Sequence, residues 1–160
     1  MLKKRLKSIL GTSFAAAMLF SATPAFAADT IIADNDSDTY GNYYTGSWQY
    51  LNNGGFGDSR IHWGIGDDYY HWTFTHPKSS GWYAWSVYLN NSSFTNHMAQ
   101  YYKDGSYVTG INQNTAYSGY NEISTVWLGN GSQYNFSVSA YSNGDPSYIN
   151  TGADAIRFVD

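Results

Sequence analysis

The stretch 82–89, WYAWSVYL, gives the clearest indication of how this chain folds. Its large side chains recur at every second position and share one face: Tyr83, Trp85, Val87 and Leu89. Successive side chains of a β-strand point to opposite sides, whereas a helical face repeats about every 3.6 residues. The stretch therefore predicts a β-strand with a buried aromatic face.

The same alternation recurs elsewhere in the sequence. Residues 133–140 alternate Tyr, Phe, Val and Ala with Gln, Asn and Ser, and residues 69–75 follow a similar pattern. Asp104-Gly105 is typical of a two-residue hairpin turn. Further strands are predicted at 30–33, 46–51, 59–63, 97–102, 106–111, 123–128 and 153–159. About ten short strands with Asn-, Asp- and Gly-rich turns favour one all-β domain, a jelly-roll-like antiparallel β-sandwich.

The first 27 residues have the organisation of a secretory signal peptide. Four basic residues within positions 3–7 precede an apolar run at 9–20, and 25–27 (Ala-Phe-Ala) has the small-x-small pattern of a cleavage site. The apolar run is shorter than the roughly 20 residues that a membrane span needs. We therefore expect cleavage after Ala27 and no membrane insertion. The remaining domain, 28–160, is expected to be extracellular, either free or held at the cell surface.

Loss of the signal peptide makes the domain strongly acidic. Removing its four basic residues from the total of 8 leaves four against 12 acidic residues, a net charge of −8. Such a charge disfavours nucleic acid and anionic membranes as partners, and it is compatible with neutral sugars and Ca²⁺. The chain has no Cys, but its 6 Trp and 16 Tyr offer large rings for a core without disulfides.

Two early aspartates are candidate ligands for a structural cation. Asp34 and Asp36 lie in the oxygen-rich segment 34–38, which superficially resembles the start of an EF-hand loop. Thr39 and Thr45 occupy the positions where that loop needs Gly and Glu, so the EF-hand interpretation fails. No cofactor is required by the sequence. Structural Ca²⁺ is retained as a hypothesis beside the simpler interpretation, a solvated turn.

A third aspartate, Asp154, is expected to be buried. If Ile156 and Phe158 point inward from the last strand, alternation points Asp154 inward as well. A buried carboxylate needs a partner, which Arg60, a tyrosine hydroxyl, backbone amides or a shared cation would supply. We expect a structural role in which Asp154 ties the last strand to the first, with Ca²⁺ binding as the alternative.

No residue pattern typical of catalysis is evident. Glu122 is the only glutamate, whereas glycoside hydrolysis ordinarily uses a pair of carboxyl groups. The sequence contains no Gly-x-Ser-x-Gly motif, and its four histidines lack zinc-site spacing: His62, His71, His76 and His97. The sequence therefore favours a protein that is not an enzyme. A small secreted polysaccharide hydrolase that uses Glu122 and aspartates is the least supported alternative.

Aromatic residues outside the predicted core are the best candidates for a binding site. Flat rings beside Asn, Gln and Asp suit carbohydrate, because a sugar stacks its C–H face on a ring while polar groups bind its hydroxyls. The candidates are Trp48, Trp63, Trp82, Trp127, Tyr43, Tyr44, Tyr69 and Tyr120. For any single ring, burial in the core is the simpler expectation. For at least one exposed cluster, we expect a binding role.

Several short motifs, taken in order, resemble one known family. They are Asp34-Asn35-Asp36, Gly46-Ser47-Trp48, Trp72-Thr73-Phe74, Ser80-Gly81-Trp82-Tyr83, Ala99-Gln100-Tyr101, Asn112-Gln113, Leu128-Gly129 and Ala153-Asp154-Ala155-Ile156-Arg157-Phe158. In this order the chain resembles the golvesin C-terminal-like domain, an accessory β-sandwich of secreted bacterial proteins that is similar to carbohydrate-binding modules. The resemblance implies a general association with glycans and supplies no catalytic residues.

Together these patterns predict a secreted, non-catalytic module that binds extracellular or cell-wall polysaccharide through exposed Trp and Tyr. The alternative is a matrix or surface structural protein that self-associates through the same rings. The sequence leaves the identity of the sugar and the oligomeric state open.

Overall fold

The computed structural model describes residues 28–36, 41–52, 56–89, 93–141 and 149–160. The proposed signal peptide, 1–27, lies outside these residues, and so do most of the Asn- and Gly-rich turn predicted at 52–55 and all of the turn predicted at 143–146. Within the described ranges the chain forms β-strands only, and no helix there is long and apolar enough to cross a membrane. The strands are β1 (Thr30–Ala33), β2 (Tyr43–Tyr44), β3 (Trp48–Leu51), β4 (Ser59–Trp63), β5 (Tyr69–Thr75), β6 (Gly81–Leu89), β7 (Ala99–Lys103), β8 (Ser106–Ile111), β9 (Gly119–Leu128), β10 (Gln133–Ser139), β11 (Asn150–Ala153) and β12 (Ile156–Val159).

These strands form three sheets in which all neighbouring strands are antiparallel. Sheet A has the order β1-β12-β6-β9, and sheet B has the order β2-β5-β10-β7-β8. A small sheet C has the order β11-β4-β3. Sheets A and B pack face to face, which confirms the predicted all-β, jelly-roll-like antiparallel sandwich.

Aromatic rings from both large sheets fill the space between them. Trp85 of β6 meets Phe136 of β10 edge-on, with ring centroids 4.7 Å apart. Phe158 of β12 lies 4.7 Å from Phe136 and 5.4 Å from Phe74 of β5. The alternation in 82–89 is confirmed, because its four inward residues are almost fully buried. Aromatic pairs add about 0.5–1.5 kcal/mol each beyond the area they bury.

Apart from shifts of one or two residues at strand ends, the structure departs from the predicted strands in three places. β2 is only two residues long, too short for alternation to reveal it. β9 begins at Gly119, four residues before the predicted start, because its polar first half still pairs with β6. The predicted strand 153–159 is interrupted at Asp154 and Ala155. Its first residue, Ala153, ends β11, which begins before the predicted start and pairs with β4 in sheet C, whereas β12 pairs with β6 in sheet A.

Asp154 stabilises this change of sheet. It is buried as expected, and its carboxylate accepts hydrogen bonds from the backbone N–H groups of Phe56 and Ala155. Its carbonyl oxygen accepts a hydrogen bond from Trp72 Nε1 at 2.7 Å. The expectation that Asp154 ties the last strand to the first is therefore wrong. It fixes the β11–β12 junction to the segment that precedes β4, because the strand breaks at this residue.

Candidate functional site

The structure distributes the candidate aromatic residues over separate surfaces. Trp48 is only 5 % exposed and packs edge-on against Tyr70 and His62, at 5.6 and 5.5 Å. Its predicted exposure is therefore wrong, because β3 turns this ring toward the core when it pairs with β4. Trp63 at the end of β4 is half-exposed, and its Nε1 donates to Gln49 at 3.0 Å.

Trp82 and Trp127 form a cross-strand pair on the outer face of sheet A, here named the tryptophan platform. They lie opposite each other on β6 and β9, with ring centroids 5.8 Å apart and planes at 73°. The side chains are 64 % and 50 % exposed even though they touch. Two of the predicted tryptophans are thus brought together.

Tyr120 lies at the other end of the same strands. Its ring is 5.0 Å from Tyr88 and 5.9 Å from Phe56, and the Arg157 guanidinium lies 4.1 Å from its centroid. Burial raises the pKa of Tyr120 to about 12, with Arg157 opposing that shift. Since Tyr120 is enclosed by two other rings and a cation, it offers a ligand less surface than the tryptophan platform does.

Tyr43 and Tyr44 form β2 at the edge of sheet B. Tyr43 stacks on His71 of β5, with centroids 4.2 Å apart and planes at 9°. Tyr44 lies 6.3 Å from buried Tyr70 and remains about half exposed. Tyr43 thus contacts His71, which lines a neighbouring depression, but neither Tyr43 nor Tyr44 lines that depression itself.

That depression, here named the tyrosine cleft, lies on the outer face of sheet B and has a volume of about 230 Å³. It is lined by Tyr69, His71, Tyr102, Gly105, Asn135 and Ser137. Of these, only Tyr69 and His71 were considered as candidates from the sequence, and His71 only as a metal or catalytic residue. The missed signal is the polar face of β10, which alternates with the buried residues that the sequence does reveal.

Strand register explains why the cleft forms here. Ser137 of the central strand β10 lies opposite His71 of β5 and opposite Tyr102 of β7. Facing pairs on neighbouring strands bring their side chains within about 5.5 Å. A small serine between two large rings leaves a trough, with Ser137 as its floor and the rings as its walls.

Polar groups inside the cleft are held in fixed orientations. His71 Nδ1 lies 3.0 Å from Asn135 Oδ1, and Asn135 Nδ2 donates to the Tyr43 hydroxyl at 2.8 Å. Since the amide oxygen can only accept, Nδ1 carries the proton of neutral His71. Nε2 is then an acceptor, and no hydrogen bond joins it to another residue in the described part of the chain. Tyr102 donates its hydroxyl proton to Gln100 Oε1 at 2.6 Å.

The side chains that line the cleft are uncharged at neutral pH. Burial lowers the pKa of His71 below its ordinary value of 6.5, and the hydrogen bond with Asn135 only partly offsets this. Burial likewise raises the pKa of Tyr102 to about 12, with a further contribution from Tyr69. Neutral rings, an amide and hydroxyl groups around one trough are the combination that accommodates an uncharged polyol such as a sugar.

The aspartates expected near a cation lie at the loops beside sheet C. Asp36 forms an ion pair with Arg60 at 3.2 Å, and Asn35 Nδ2 donates to Asp58. Burial raises the pKa of Asp34, and the charge of Asp58 adds to the shift. Among the residues that the structure describes, no group of three or more His, Cys, Asp and Glu side chains is arranged to hold a metal ion. Ca²⁺ binding therefore stays a hypothesis.

No protein-family model and no curated protein matches this chain. Among solved structures, a family 35 carbohydrate-binding module from Clostridium thermocellum aligns with a TM-score of 0.58 and 16 % identity, over 81 % of this chain and 98 % of that module. The family 35 module from Cellvibrio japonicus Abf62 aligns with a TM-score of 0.55 and 11 % identity, over 82 % and 94 %.

A Paenibacillus xanthan lyase aligns with a TM-score of 0.63 and 21 % identity, over 82 % of this chain. The aligned region is 13 % of the lyase's own length. At these identities the likeness shows a shared fold. The resemblance to the golvesin C-terminal-like domain stays a prediction.

Proposed function

We propose that this protein is a secreted, non-catalytic module that binds extracellular or cell-wall polysaccharide in the tyrosine cleft. The observation that carries the proposal is the cleft itself, which joins half-buried aromatic rings to oriented, uncharged hydrogen-bonding groups. A sugar ring stacked on Tyr69 or Tyr102 would bring its hydroxyls near the Asn135 amide and His71 Nε2. The acidic charge of the domain favours a neutral glycan over an anionic one.

The fold comparisons support a carbohydrate-binding role at a coarser level. Two of the aligned structures are carbohydrate-binding modules, and this chain matches them over nearly their whole length. Export rests on the signal-peptide pattern of residues 1–27, and both secretion and the golvesin-like assignment remain part of the proposal.

The proposal is tested by affinity electrophoresis and pull-down on four probes: arabinoxylan, β-1,3-galactan, xanthan and insoluble peptidoglycan. We expect at least one probe to bind. Tyr102→Ala should weaken that binding roughly tenfold, because about 1.4 kcal/mol corresponds to a factor of ten in affinity. Tyr117→Ala is the matched control, since Tyr117 is exposed and belongs to neither the cleft nor the tryptophan platform.

Two results would overturn the proposal. One is the absence of binding to all four probes and to a broad glycan array by protein that is folded by circular dichroism. The other is glycan binding that Tyr102→Ala and Tyr117→Ala leave equally intact, which would remove the cleft from the function.

A further inference from the structure

We propose that the tryptophan platform is a second glycan-binding surface, so that one module bridges two polysaccharide chains. This inference rests on the proposed function, because it assigns a second site to the same class of ligand. It concerns Trp82 and Trp127 together, which expose their rings on a face of the sandwich that the tyrosine cleft does not share.

The two surfaces lie on opposite sides of the molecule. On β6, Tyr83 and Trp85 point into the core, so Trp82 points away from it. On β5, Tyr70 is buried and Tyr69 faces the cleft on the outer side of sheet B. Stacked sheets are about 10 Å apart. Ligands bound on the two outer faces would be separated by at least that distance plus the thickness of the outward-facing side chains of both sheets. A short oligosaccharide therefore cannot occupy both surfaces of one molecule.

The surroundings of the platform favour a sugar over a protein partner. Ala84 and Thr125 are the next facing pair on the same outer face of the two strands, and both side chains are small compared with the indoles. The two indoles together expose less than about 300 Å², so a stable protein interface, which buries roughly 800 Å² on each partner, would need a larger surface than the platform itself provides.

The indole N–H groups supply the polar part of such a site. No hydrogen bond joins Nε1 of Trp82 or Trp127 to another residue in the ranges that the structure describes, and both side chains are at least half exposed. Each group is therefore a donor available to a ligand oxygen. A pyranose offers an apolar face for the rings and hydroxyl oxygens for these donors, so the platform and the ligand match in both respects.

Calorimetry with a hexasaccharide from whichever probe polysaccharide binds will count the sites. We expect two hexasaccharides per wild-type chain, and one for either the Trp82→Ala/Trp127→Ala variant or the Tyr69→Ala/Tyr102→Ala variant. Mixing the intact polysaccharide with wild-type protein should increase light scattering, with a maximum at intermediate protein concentration. The scattering should fall at excess protein, because each polysaccharide chain is then covered by separate protein molecules and few of them bridge two chains. Both double variants should abolish this maximum.

The outcomes separate this inference from the proposed function. Absence of any binding by the wild type overturns both. One hexasaccharide per wild-type chain, with the tryptophan variant unchanged, overturns the second site and leaves the cleft intact. Concentration-dependent assembly without glycan, lost in the tryptophan variant, would make the platform a contact between copies of this chain and would also overturn it. Tyr117→Ala again serves as the exposed-ring control, and thermal melting verifies that each variant is folded.

Discussion

Both carboxylate oxygens of Asp154 accept the backbone N–H of Phe56, at 3.2 and 3.1 Å. Asp154 is 2 % exposed and lies at the break between β11 and β12, whereas Phe56 precedes β4 and packs its ring against Tyr88 and Tyr120. One buried carboxylate therefore links the junction of two sheets to the aromatic cluster on the outer face of sheet A.

The first prediction concerns the pH dependence of stability. Burial raises the pKa of Asp154 to about 7, although its hydrogen bonds from Phe56 and Ala155 oppose that shift. The folded protein thus holds this proton more tightly than the unfolded chain, whose Asp has a pKa of 3.8. The contribution of this tightly held proton to the free energy of unfolding is fully present below pH 3.8 and is lost as the pH rises to about 7. It amounts to roughly 4 kcal/mol at most.

Urea denaturation of the wild type and Asp154→Asn at several pH values will test this. The free energy of unfolding of the wild type should fall relative to that of the variant between about pH 4 and 7, and the difference should level off above that. Asp67→Asn is the control, because Asp67 is exposed. A constant difference between wild type and Asp154→Asn across the window would show that Asp154 does not titrate in this way.

The second prediction concerns Gly152, where sheet C meets a buried ring. A Cβ at this position would overlap the ring of Phe94, which is fully buried. Gln113 also fixes the strand, because it bonds both the N–H and the carbonyl of Gly152 at 2.9 Å. Gly152→Ala should therefore lower the free energy of unfolding by about 1–3 kcal/mol.

Two further variants test the cause of that loss. In the Phe94→Ala background, Gly152→Ala should cost much less, because the overlapping ring is gone and the two effects are not additive. Gly41→Ala is the matched control, since a Cβ there meets nothing within 4 Å. An equal cost of Gly152→Ala in both backgrounds would rule out the clash with Phe94 as its origin.

The sandwich was more predictable from the sequence than the cleft, for a physical reason. Alternation is a local property, so the sequence of one buried strand, such as 82–89, is enough to indicate which of its faces points to the core. The cleft depends on register: His71, Ser137 and Tyr102 converge only because three strands distant in sequence pair in one way. Each looks, within its own strand, like an ordinary residue of the outer face.

The wrong prediction that Trp48 is exposed has a similar cause, because its burial depends on contacts with other strands. Its strand, β3, has only four residues, so alternation alone does not decide which face is buried. Packing against Tyr70 and His62 decides it instead, and those contacts come from β5 and β4. Asp154 was predictable as a buried residue, but its partner at Phe56 was not, because the break in the strand has no signature in the alternation.

The third prediction concerns Ca²⁺. The charges of Asp34 and Asp58 add to burial in raising the pKa of Asp154, so these carboxyl groups repel one another. Asn35 Oδ1 is also buried with no hydrogen-bond partner in the described ranges. A bound cation would reduce the repulsion between the carboxyl groups and would give Asn35 Oδ1 a partner. Millimolar Ca²⁺ should therefore raise the melting temperature of the wild type at neutral pH.

Differential scanning calorimetry with Ca²⁺, Mg²⁺ and EDTA gives the measurement. Asp34→Asn should reduce the increase, and Asp104→Asn, in the β7–β8 turn, is the control. A melting temperature that is indifferent to Ca²⁺ and to chelator ends the hypothesis of a structural cation.

The fourth prediction concerns His71 in glycan binding. Neutral His71 presents Nε2 as an acceptor, and protonation converts this atom into a donor, which can no longer accept a sugar hydroxyl. Burial lowers the pKa of His71 below its ordinary value, so affinity should be constant in neutral and basic buffer and should fall only in acidic buffer, where His71 takes up its second ring proton. The opposite trend, tighter binding in acid, would place a donor rather than an acceptor at this point of the cleft.

Calorimetry of the hexasaccharide with the wild type, His71→Gln and His97→Gln separates His71 from other groups. His71→Gln keeps an acceptor but has no proton to gain in this range, so its weaker affinity should not change with pH. His97→Gln alters an exposed histidine outside the cleft and should follow the wild-type profile. Loss of the acid response in His97→Gln but not in His71→Gln would show that the titrating group lies elsewhere. The cleft would then bind sugar through its tyrosines and Asn135 alone.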